Sequence, residues 1–260
     1  MTLDQSQIDE RMRTLGWVRF EGVLDADQVA ALGRDAEAVY AERRKVQVRN
    51  GVAANMEGAG HHALGLGNSL DRFVGDMPLM DQIERYFEGK TILLNFGVTL
   101  HPPGVTTYTH KPHRDIRTWS SDFRLSLNML VMLDDFTVEN GATRLLEGSH
   151  RVKDMPSADH FDLQAVLLTG RAGDVILFDS LAVHSAAPNR SAALRRGLTL
   201  CFGRPFMKPH MDWPRFLPVE THSGLTPTAR QLLGFHARVP TSVEDYYQPP
   251  ENWAFKADQI

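Results

Sequence analysis

The sequence predicts a mainly β fold, a sandwich or barrel braced by helices, and three observations support this. Residues 1–90 are dominated by helical spacing of apolar side chains, whereas residues 91–205 contain many short runs rich in Val, Leu, Ile and Phe. Turn sequences such as Pro102-Pro103-Gly104 separate these runs. Many short strands after a helical start are typical of a sheet-based fold with helices packed on it.

The N-terminal part predicts three helices and one strand. Residues 4–15 carry apolar side chains at helical spacing, and residues 17–20 alternate enough to form a short strand. The longest helix follows Asp25, whose side chain is suited to cap the first turn. Residues 78–87 form the third helix, because Pro78 suits its first turn and a glycine follows its end.

The segment 48–67 interrupts this pattern. It contains five glycines and no sustained period, so we expect a mobile loop. His61 and His62 lie in it, either as part of a lid over a substrate or as exposed polar residues. Long irregular segments in compact domains are often binding loops.

The strand-like runs alternate with turns through the central part of the chain. Their ranges are 92–100, 123–133, 142–146, 163–168, 174–178 and 197–202. Residues 225–236 predict a last helix, with Thr226 as its cap, and an irregular tail follows. We expect a single domain over residues 1–260, with a helical flank (1–90), a β core (91–205) and a C-terminal extension (206–260).

Composition excludes several classes of protein. The chain has 260 residues, 42% of them hydrophobic, a net charge of −4 and no basic block, which argues against a nucleic-acid partner. The single cysteine, Cys201, excludes an intramolecular disulfide framework and a cysteine-based zinc cluster. No apolar run is long enough to cross a membrane, and the first ten residues do not resemble a signal peptide. We therefore expect a cytoplasmic protein without a membrane partner.

Eleven histidines remain to be explained, and two of them form a candidate metal site. In a strand, residues i and i+2 face the same side, so His113 and Asp115 can point at one ion. His184 follows a later strand-like run. Two imidazoles and a carboxylate form the facial triad typical of non-haem iron(II) oxygenases. Hydrogen-bonded core or surface histidines are the alternative explanation of the same pattern.

Arginines after His184 supply a candidate for binding a carboxylate. Arg195 stands eleven residues after His184, at the start of a strand-like run. A guanidinium can bind a carboxylate through two parallel hydrogen bonds, as a dicarboxylate co-substrate requires. Arg196 and Arg195 cannot both point inward, because adjacent strand residues face opposite sides. We expect Arg190 to be a solvated turn residue.

Four sequence blocks make the pattern specific. They are HRDIRTW at 113–119, DDFTVENGATRLLEGSHR at 134–151, GRAGDVILFDSLAVHSAAPNRS at 170–191 and RRGLTL at 195–200. In this order and spacing, they resemble the phytanoyl-CoA dioxygenase family of iron(II)/2-oxoglutarate-dependent oxygenases. The resemblance extends from TLGWVRFEGVLDADQVAAL at 14–32 to the tail LLGFHARVPTSVEDYYQPP, and so covers nearly the whole chain.

The resemblance implies a double-stranded β-helix, the cupin-like jelly-roll barrel, with flanking N-terminal and C-terminal helices. It implies His113, Asp115 and His184 as iron ligands and Arg195 as the residue that binds the distal carboxylate of 2-oxoglutarate. Asn128 stands where the family often places a polar co-substrate ligand; a strand residue bonded to backbone is the alternative.

The chain departs from the family pattern at two places. The strand before the HxD motif offers Asn95 and His101, but neither lies in the usual co-substrate register. Ser185 follows the distal histidine, where the family often has glycine. Both departures concern co-substrate contacts, while the triad is intact.

Four residues are candidates for substrate contact at the mouth of the barrel. Trp119 resembles an active-site tryptophan of the ectoine hydroxylase branch, and a buried core tryptophan is the alternative. Tyr108, Arg117 and Arg204 are suited to meet a polar or anionic substrate, and surface ion pairs are the default explanation for such arginines. The other histidines are read as structural or surface residues, with His110 and His210 the candidates nearest the mouth.

The resemblance implies an enzyme that uses iron(II), 2-oxoglutarate and O₂ to hydroxylate an unactivated C–H bond. Asp115 favours hydroxylation over halogenation, because related halogenases have a small residue there, whereas desaturation and ring formation stay open. A non-catalytic metabolite-binding barrel and a cupin-type barrel with zinc or nickel are the competing interpretations. The absence of a basic groove for a CoA tail favours a small free metabolite as substrate. The sequence does not predict the oligomeric state.

Overall fold

Two antiparallel sheets form the centre of the molecule in the computed structural model, which describes residues 3–259. The strands are β1 (Trp17–Phe20), β2 (Ala59–His61), β3 (Ile92–His101), β4 (Ser126–Met132), β5 (Thr143–Leu145), β6 (Val166–Leu168), β7 (Val175–Asp179), β8 (His184–Ala186) and β9 (Arg195–Gly203). The major sheet has six strands in the order β1-β7-β4-β9-β3-β2, and the minor sheet has three in the order β6-β5-β8. Neighbouring strands mostly lie far apart in the chain, as a jelly roll requires.

Helices flank these sheets. They are α1 (Gln5–Thr14), α2 (Ala26–Arg49), α3 (Ser69–Gly75), α4 (Met80–Phe87), α5 (Ala158–Gln164), α6 (Trp213–Phe216), α7 (Pro227–Leu232) and α8 (Val243–Tyr246). The first two begin with capping boxes, in which Asp4 pairs with Gln7 and Asp25 pairs with Gln28. Each box satisfies two backbone N–H groups of a first turn, so these helices begin where the sequence places them. None of the described helices is both long and apolar enough to span a membrane.

The two faces of the major sheet carry different residues. Along β4, the side chains of Leu127, Met129 and Val131 join the large core shared with the helices. Leu130 and Met132 join a smaller core that includes residues of the minor sheet. Alternation along a strand therefore separates a helix-facing outer face from an inner face that looks into the barrel.

The register between β3 and β9 determines which of their residues lie opposite each other. A bulge between Leu93 and Asn95 shifts the pairing, after which His101 lies opposite Arg195. Asn95 lies opposite Cys201 in the same ladder. The bulge sets which β3 side chains enter the barrel, because one extra residue reverses the alternation.

The predicted fold class, a mainly β double-stranded β-helix with flanking helices, is confirmed. The domain boundaries at 90 and 205 stay a prediction. Three segments differ from the sequence expectation. Residues 163–168 were expected to be all strand, but α5 runs to Gln164 and only the last three residues form β6. The N-cap Ser157 and the fully buried Phe161 stabilise that helix.

The expected loop 48–67 is also partly ordered into regular structure. Helix α2 continues to Arg49, and β2 pairs with β3, with His61 opposite Gly97. A three-residue strand that contains Ala and Gly shows no periodicity in the sequence, so only its pairing partner reveals it. The helix expected over 225–236 is α7, which is shorter because it begins at Pro227 and ends at Leu232. It is not the last helix, since α8 follows it.

Candidate metal and co-substrate site

His113, Asp115 and His184 converge at one end of the barrel. Their ligand atoms all lie within 4.8 Å of one another, and they form the one such group of three or more potential metal ligands within residues 3–259. The Nε2 atom of His113 is 3.5 Å from Asp115 Oδ1, and that of His184 is 3.7 Å from Asp115 Oδ2. The structure therefore brings together the three residues that the spacing predicted.

The two imidazoles are oriented by backbone carbonyls. His113 Nδ1 donates to Lys111 O at 2.8 Å, and His184 Nδ1 donates to Ala182 O at 3.0 Å. A carbonyl can only accept, so each Nδ1 carries the hydrogen and each neutral ring keeps its Nε2 lone pair for a cation. Such hydrogen bonds to the remote ring nitrogen are typical of histidine ligands in metalloproteins.

The charges of the three groups suit a cation. Burial raises the pKa of Asp115, but the two imidazoles and the Asn128 amide outweigh this and lower it to about 2. Burial lowers the pKa of His184 and so favours its neutral ring. Burial also lowers the pKa of His113, but the hydrogen bond and the charge of Asp115 raise it further than burial lowers it. A carboxylate beside two imidazoles is a donor set that suits iron(II).

Backbone contacts hold the two ligand-bearing segments together. His113 and His184 exchange N–H···O bonds of 3.0 Å in both directions, and Asp115 N donates to Ser180 O at 3.2 Å. The HxD motif was expected in a strand, but it lies in an irregular segment joined to β8 by this isolated bridge. His113 and Asp115 nevertheless point at one place, because the bridge keeps the local backbone extended.

Asn128 contacts the triad directly. Its Nδ2 donates to Asp115 Oδ2 at 2.7 Å, from the inner face of β4. The two expectations for this residue were a co-substrate ligand and a strand residue bonded to backbone. The observed partner is a metal-ligand candidate, which orients the carboxylate and leaves its other oxygen free to face a cation.

Arg195 lines the same cavity as the triad. It is only 5% exposed, and its one hydrogen bond to the described residues runs from Nη1 to Gly141 O at 2.7 Å. The guanidinium carbon sits 4.2 Å from the centroid of the Phe136 ring, and Nε is buried without a partner. Burial lowers the pKa of Arg195 to about 10, which leaves the group charged at neutral pH. A buried guanidinium with unused donors and no bonded carboxylate fits a carboxylate ligand.

The neighbouring arginines face elsewhere. Arg196 points to the outer side of the sheet, where it pairs with Asp134 at 2.6 Å and Glu37 at 2.9 Å. Arg190 is exposed in the turn after Asn189, as expected. Strand alternation thus separates Arg195 from Arg196 in the way that the sequence predicts.

A cavity of about 250 Å³ joins these parts. The triad, Asn128 and Arg195 all line it. Its remaining wall includes Asn95, Tyr108, His61 and His210. The Tyr108 hydroxyl lies 3.2 Å from His61 Nε2, so a hydrogen bond joins the glycine-rich segment to the segment before the HxD motif.

The other three substrate candidates lie away from this cavity. Arg114 stacks over the Trp119 ring at 5.6 Å, and Trp119 lines a separate groove of about 1020 Å³ beside α1. Arg204 donates to Arg124 O at 3.1 Å and covers Phe123, and Arg117 is exposed. None of the three is among the described residues that line the 250 Å³ cavity.

Several lining residues were not predicted, and two of them lie on β9. Thr199 and Cys201 face the cavity from β9, four and six residues after Arg195. Even spacing from an inward-facing residue of the same strand is the signal that identifies them. Burial raises the pKa of the Cys201 thiol to about 12, so this cysteine is a neutral wall residue.

Comparison with known proteins agrees with this geometry. The family model for phytanoyl-CoA dioxygenase (PhyH) matches residues 12–197 of the chain. The chain belongs to the phytanoyl-CoA dioxygenase family. Family membership confirms the expected enzyme class, a 2-oxoglutarate-dependent dioxygenase, and the expected pairing of iron with 2-oxoglutarate.

Related sequences cover different shares of the chain. The uncharacterized protein Rv1501 of Mycobacterium tuberculosis is 27% identical over 262 residues, which is 97% of this chain and 95% of that protein. The dioxygenase trt7 of Aspergillus terreus is 38% identical over 137 residues, or 50% of this chain and 43% of trt7. The similarity to trt7 therefore concerns about half of the chain.

Solved structures share the fold. The carbocyclase SnoK from nogalamycin biosynthesis has a TM-score of 0.62 and 20% identity, covering 87% of this chain and 92% of SnoK. The epimerase SnoN, in complex with Fe³⁺, alpha ketoglutarate and nogalamycin RO, has a TM-score of 0.60 and 21% identity, covering 82% and 90%. At these identities the likeness supports the jelly-roll fold.

Proposed function

We propose that this dioxygenase hydroxylates an unactivated C–H bond of a small-molecule metabolite while 2-oxoglutarate is converted to succinate and CO₂. In this proposal His113, Asp115 and His184 hold iron(II), and Arg195 binds the distal carboxylate of 2-oxoglutarate. The residues present fit both groups, since the triad offers one carboxylate and two imidazoles oriented through Nδ1.

One observation carries the proposal. The triad and a buried arginine without a bonded carboxylate line the same cavity of about 250 Å³. An unpaired charge in a protein interior is costly, so a folded protein rarely leaves one without a partner. The distal carboxylate of a dicarboxylate supplies that partner when its other end is near the triad.

Each group of the chain has a distinct task. When bound, iron with 2-oxoglutarate and O₂ supplies the oxidant that attacks the C–H bond. Asn128 holds the Asp115 carboxylate in one orientation through its 2.7 Å hydrogen bond. Phe136 and Phe178 exclude water from the inner wall, because both are almost fully buried beside the cavity.

Hydroxylation is one of several outcomes of C–H attack. The structural neighbours include an epimerase and a carbocyclase, so the same fold supports other fates of the oxidised carbon. Asp115 supports hydroxylation over halogenation, because the third ligand position is a carboxylate.

The cavity wall supports a small substrate without phosphate groups. Among the described residues that line it, Arg195 is the only lysine or arginine, and it is assigned to the co-substrate. The remaining polar groups include the Asn95 amide and the Tyr108 hydroxyl. Phosphates of a CoA tail would therefore find no cation inside. The cytoplasmic location stays a prediction.

The test is an anaerobic titration with iron(II) and 2-oxoglutarate. We expect a weak visible charge-transfer band in the wild type and none in His184→Ala, which lacks one imidazole ligand. Under air, the wild type should release succinate and the variant should not. His160→Ala, on the exposed side of α5, is the matched control and should keep the band.

The competing interpretations make different predictions. A non-catalytic barrel would give neither the band nor succinate with the wild type. A zinc or nickel cupin would bind metal without the band and without a requirement for Arg195. Either result would overturn the proposal.

A further inference from the structure

We infer that Ser149 and Arg114 are positioning residues of the metal site, which set the distance between the HxD segment and His184. The inference rests on the proposed iron site. It concerns two side chains that do not line the cavity, so neither one can contact the metal or a substrate.

Arg114 stands between the two HxD ligands and points away from them. It is only 9% exposed, and its guanidinium donates to four backbone carbonyls of the following segment. The acceptors are Ser149 O at 3.0 Å, Val152 O at 2.5 Å, Lys153 O at 2.7 Å and Asp154 O at 3.4 Å. Nη1 donates to Lys153 O and Nη2 reaches the other three carbonyls, which lie around the plane of the guanidinium. The backbone between His113 and Asp115 is therefore anchored to residues 149–154.

Ser149 connects the same segment to the distal histidine. Its hydroxyl accepts from Val183 N at 2.8 Å and donates to Leu146 O at 2.5 Å. Val183 immediately precedes His184, and Leu146 N donates in turn to Val183 O at 2.9 Å. Ser149 is 5% exposed, so water cannot easily replace its hydroxyl.

One residue thus joins both ligand-bearing segments. The Ser149 carbonyl accepts from Arg114, next to His113 and Asp115, and the Ser149 hydroxyl accepts from Val183, next to His184. The direct bridge between His113 and His184 joins the same segments at a second point. The bond from Asp115 N to Ser180 O is a third connection, and together the three define the relative position and the tilt of the two segments.

The chemistry of the site requires this precision. A metal site loses affinity when its ligands are displaced, and loss of outer hydrogen bonds typically weakens metal binding 10–100-fold. Removing the Ser149 hydroxyl leaves the buried Val183 N–H without its acceptor, and the backbone before His184 must move to find another. The displacement reaches the His184 imidazole through its own bond to Ala182 O.

The experiment measures Co(II) binding to Ser149→Ala by the visible absorption of the bound ion, without co-substrate or turnover. We expect Co(II) to bind about tenfold more weakly than to the wild type. The matched control is Ser69→Ala in α3, which also loses a buried hydroxyl, bonded to Asp35 Oδ2 at 2.5 Å. Ser69→Ala should lower the thermal midpoint by a similar amount and keep the wild-type affinity for Co(II).

A second pair of variants tests the arginine. Arg114→Lys keeps the charge but loses the planar set of N–H donors. It should weaken Co(II) binding at least as much as Ser149→Ala. Arg43→Lys is its control, since Arg43 also donates to backbone carbonyls, those of His62 and Leu64. Arg43→Lys should bind Co(II) as the wild type does.

The outcomes separate the two proposals. If the wild type does not bind Co(II), the proposed metal site is wrong. If the wild type binds and both Ser149→Ala and Arg114→Lys bind within twofold of it, the positioning role is wrong and these residues only stabilise the fold. Equal losses of Co(II) affinity in Ser69→Ala and Ser149→Ala would also overturn the positioning role. The loss would then result from a less stable fold and not from displaced metal ligands.

Discussion

The two faces of strand β9 differ in what they contribute. On the outer face, Leu198, Leu200 and Phe202 are essentially fully buried in the core shared with the helices. On the inner face, Arg195 and Cys201 line the cavity that holds the triad. One strand therefore stabilises the fold with one set of side chains and builds the site with the other.

The difference between the two faces shows where this fold accommodates polar side chains. Burial of apolar side chains on the outer face supplies the stabilising free energy, about 25 cal/mol per Å² of apolar area. The inner face carries a guanidinium without a carboxylate partner, and the triad lines the same cavity. A buried charge of this kind costs free energy until a partner binds. We expect substitutions on the outer face to change the stability of the fold and substitutions on the inner face to change ligand binding.

The largest expected effect belongs to the outer face. Phe202→Ala removes a fully buried ring and should lower the free energy of unfolding by about 3–5 kcal/mol. Urea unfolding measures this loss, while Co(II) affinity of the folded protein should stay at the wild-type value. A loss below about 1 kcal/mol, or weakened Co(II) binding, would contradict the separation of the faces.

The next effect belongs to the inner face. Arg195→Leu removes the proposed carboxylate ligand and should raise the Kd for 2-oxoglutarate at least about 100-fold, the scale of a lost charge-assisted pair. The thermal midpoint should not fall, since an unpaired buried charge is replaced by an apolar side chain. The charge-transfer band, titrated with 2-oxoglutarate, gives the Kd.

The adjacent arginine is the matched control for that variant. Arg196→Leu loses the outer-face ion pairs with Asp134 and Glu37, so it should lower the thermal midpoint and leave the Kd for 2-oxoglutarate unchanged. The reverse pattern in the two variants would refute the assignment of Arg195.

A smaller effect is expected at Asn128. Asn128→Leu removes the donor to Asp115, and the freed carboxylate should bind Co(II) about tenfold more weakly. Leu127→Met, one residue earlier and on the outer face, conserves volume and should leave Co(II) affinity unchanged. Equal Co(II) affinities in the two variants would show that Asn128 does not orient the carboxylate.

The smallest effect is a pH dependence of stability. Burial and then the charge of Arg195 lower the pKa of His101 to about 4, below the unfolded value near 6.5. The unfolded state therefore binds the proton first, so this contribution is complete above pH 6.5 and is lost as the pH falls towards 4. After allowance for solvent, we expect about 1–2 kcal/mol over that range.

Two variants measure that contribution by urea unfolding at several pH values. His101→Gln should show a shallower fall in the free energy of unfolding between pH 6.5 and 4 than the wild type. Arg195→Leu should also show a shallower fall, because loss of the neighbouring charge raises the pKa of His101. Slopes identical to the wild type in both variants would refute this coupling across the inner face.

The sequence alone determined the residues that depend on local pattern. The spacing of His113 and Asp115, the opposite directions of Arg195 and Arg196 and the cap at Asp25 all follow from short-range geometry. Each needs only the period of a strand or the first turn of a helix, and so each is readable without knowing the partners of the element.

The tertiary structure decided the pairings between segments far apart in the chain. It made Asn128 the partner of Asp115, turned part of a glycine-rich segment into β2, and kept Trp119 out of the metal cavity. It also joined both ligand segments through Ser149. These contacts depend on which strands become neighbours. Burial of the whole core determines those neighbours, and the local periodicity of the sequence does not predict them.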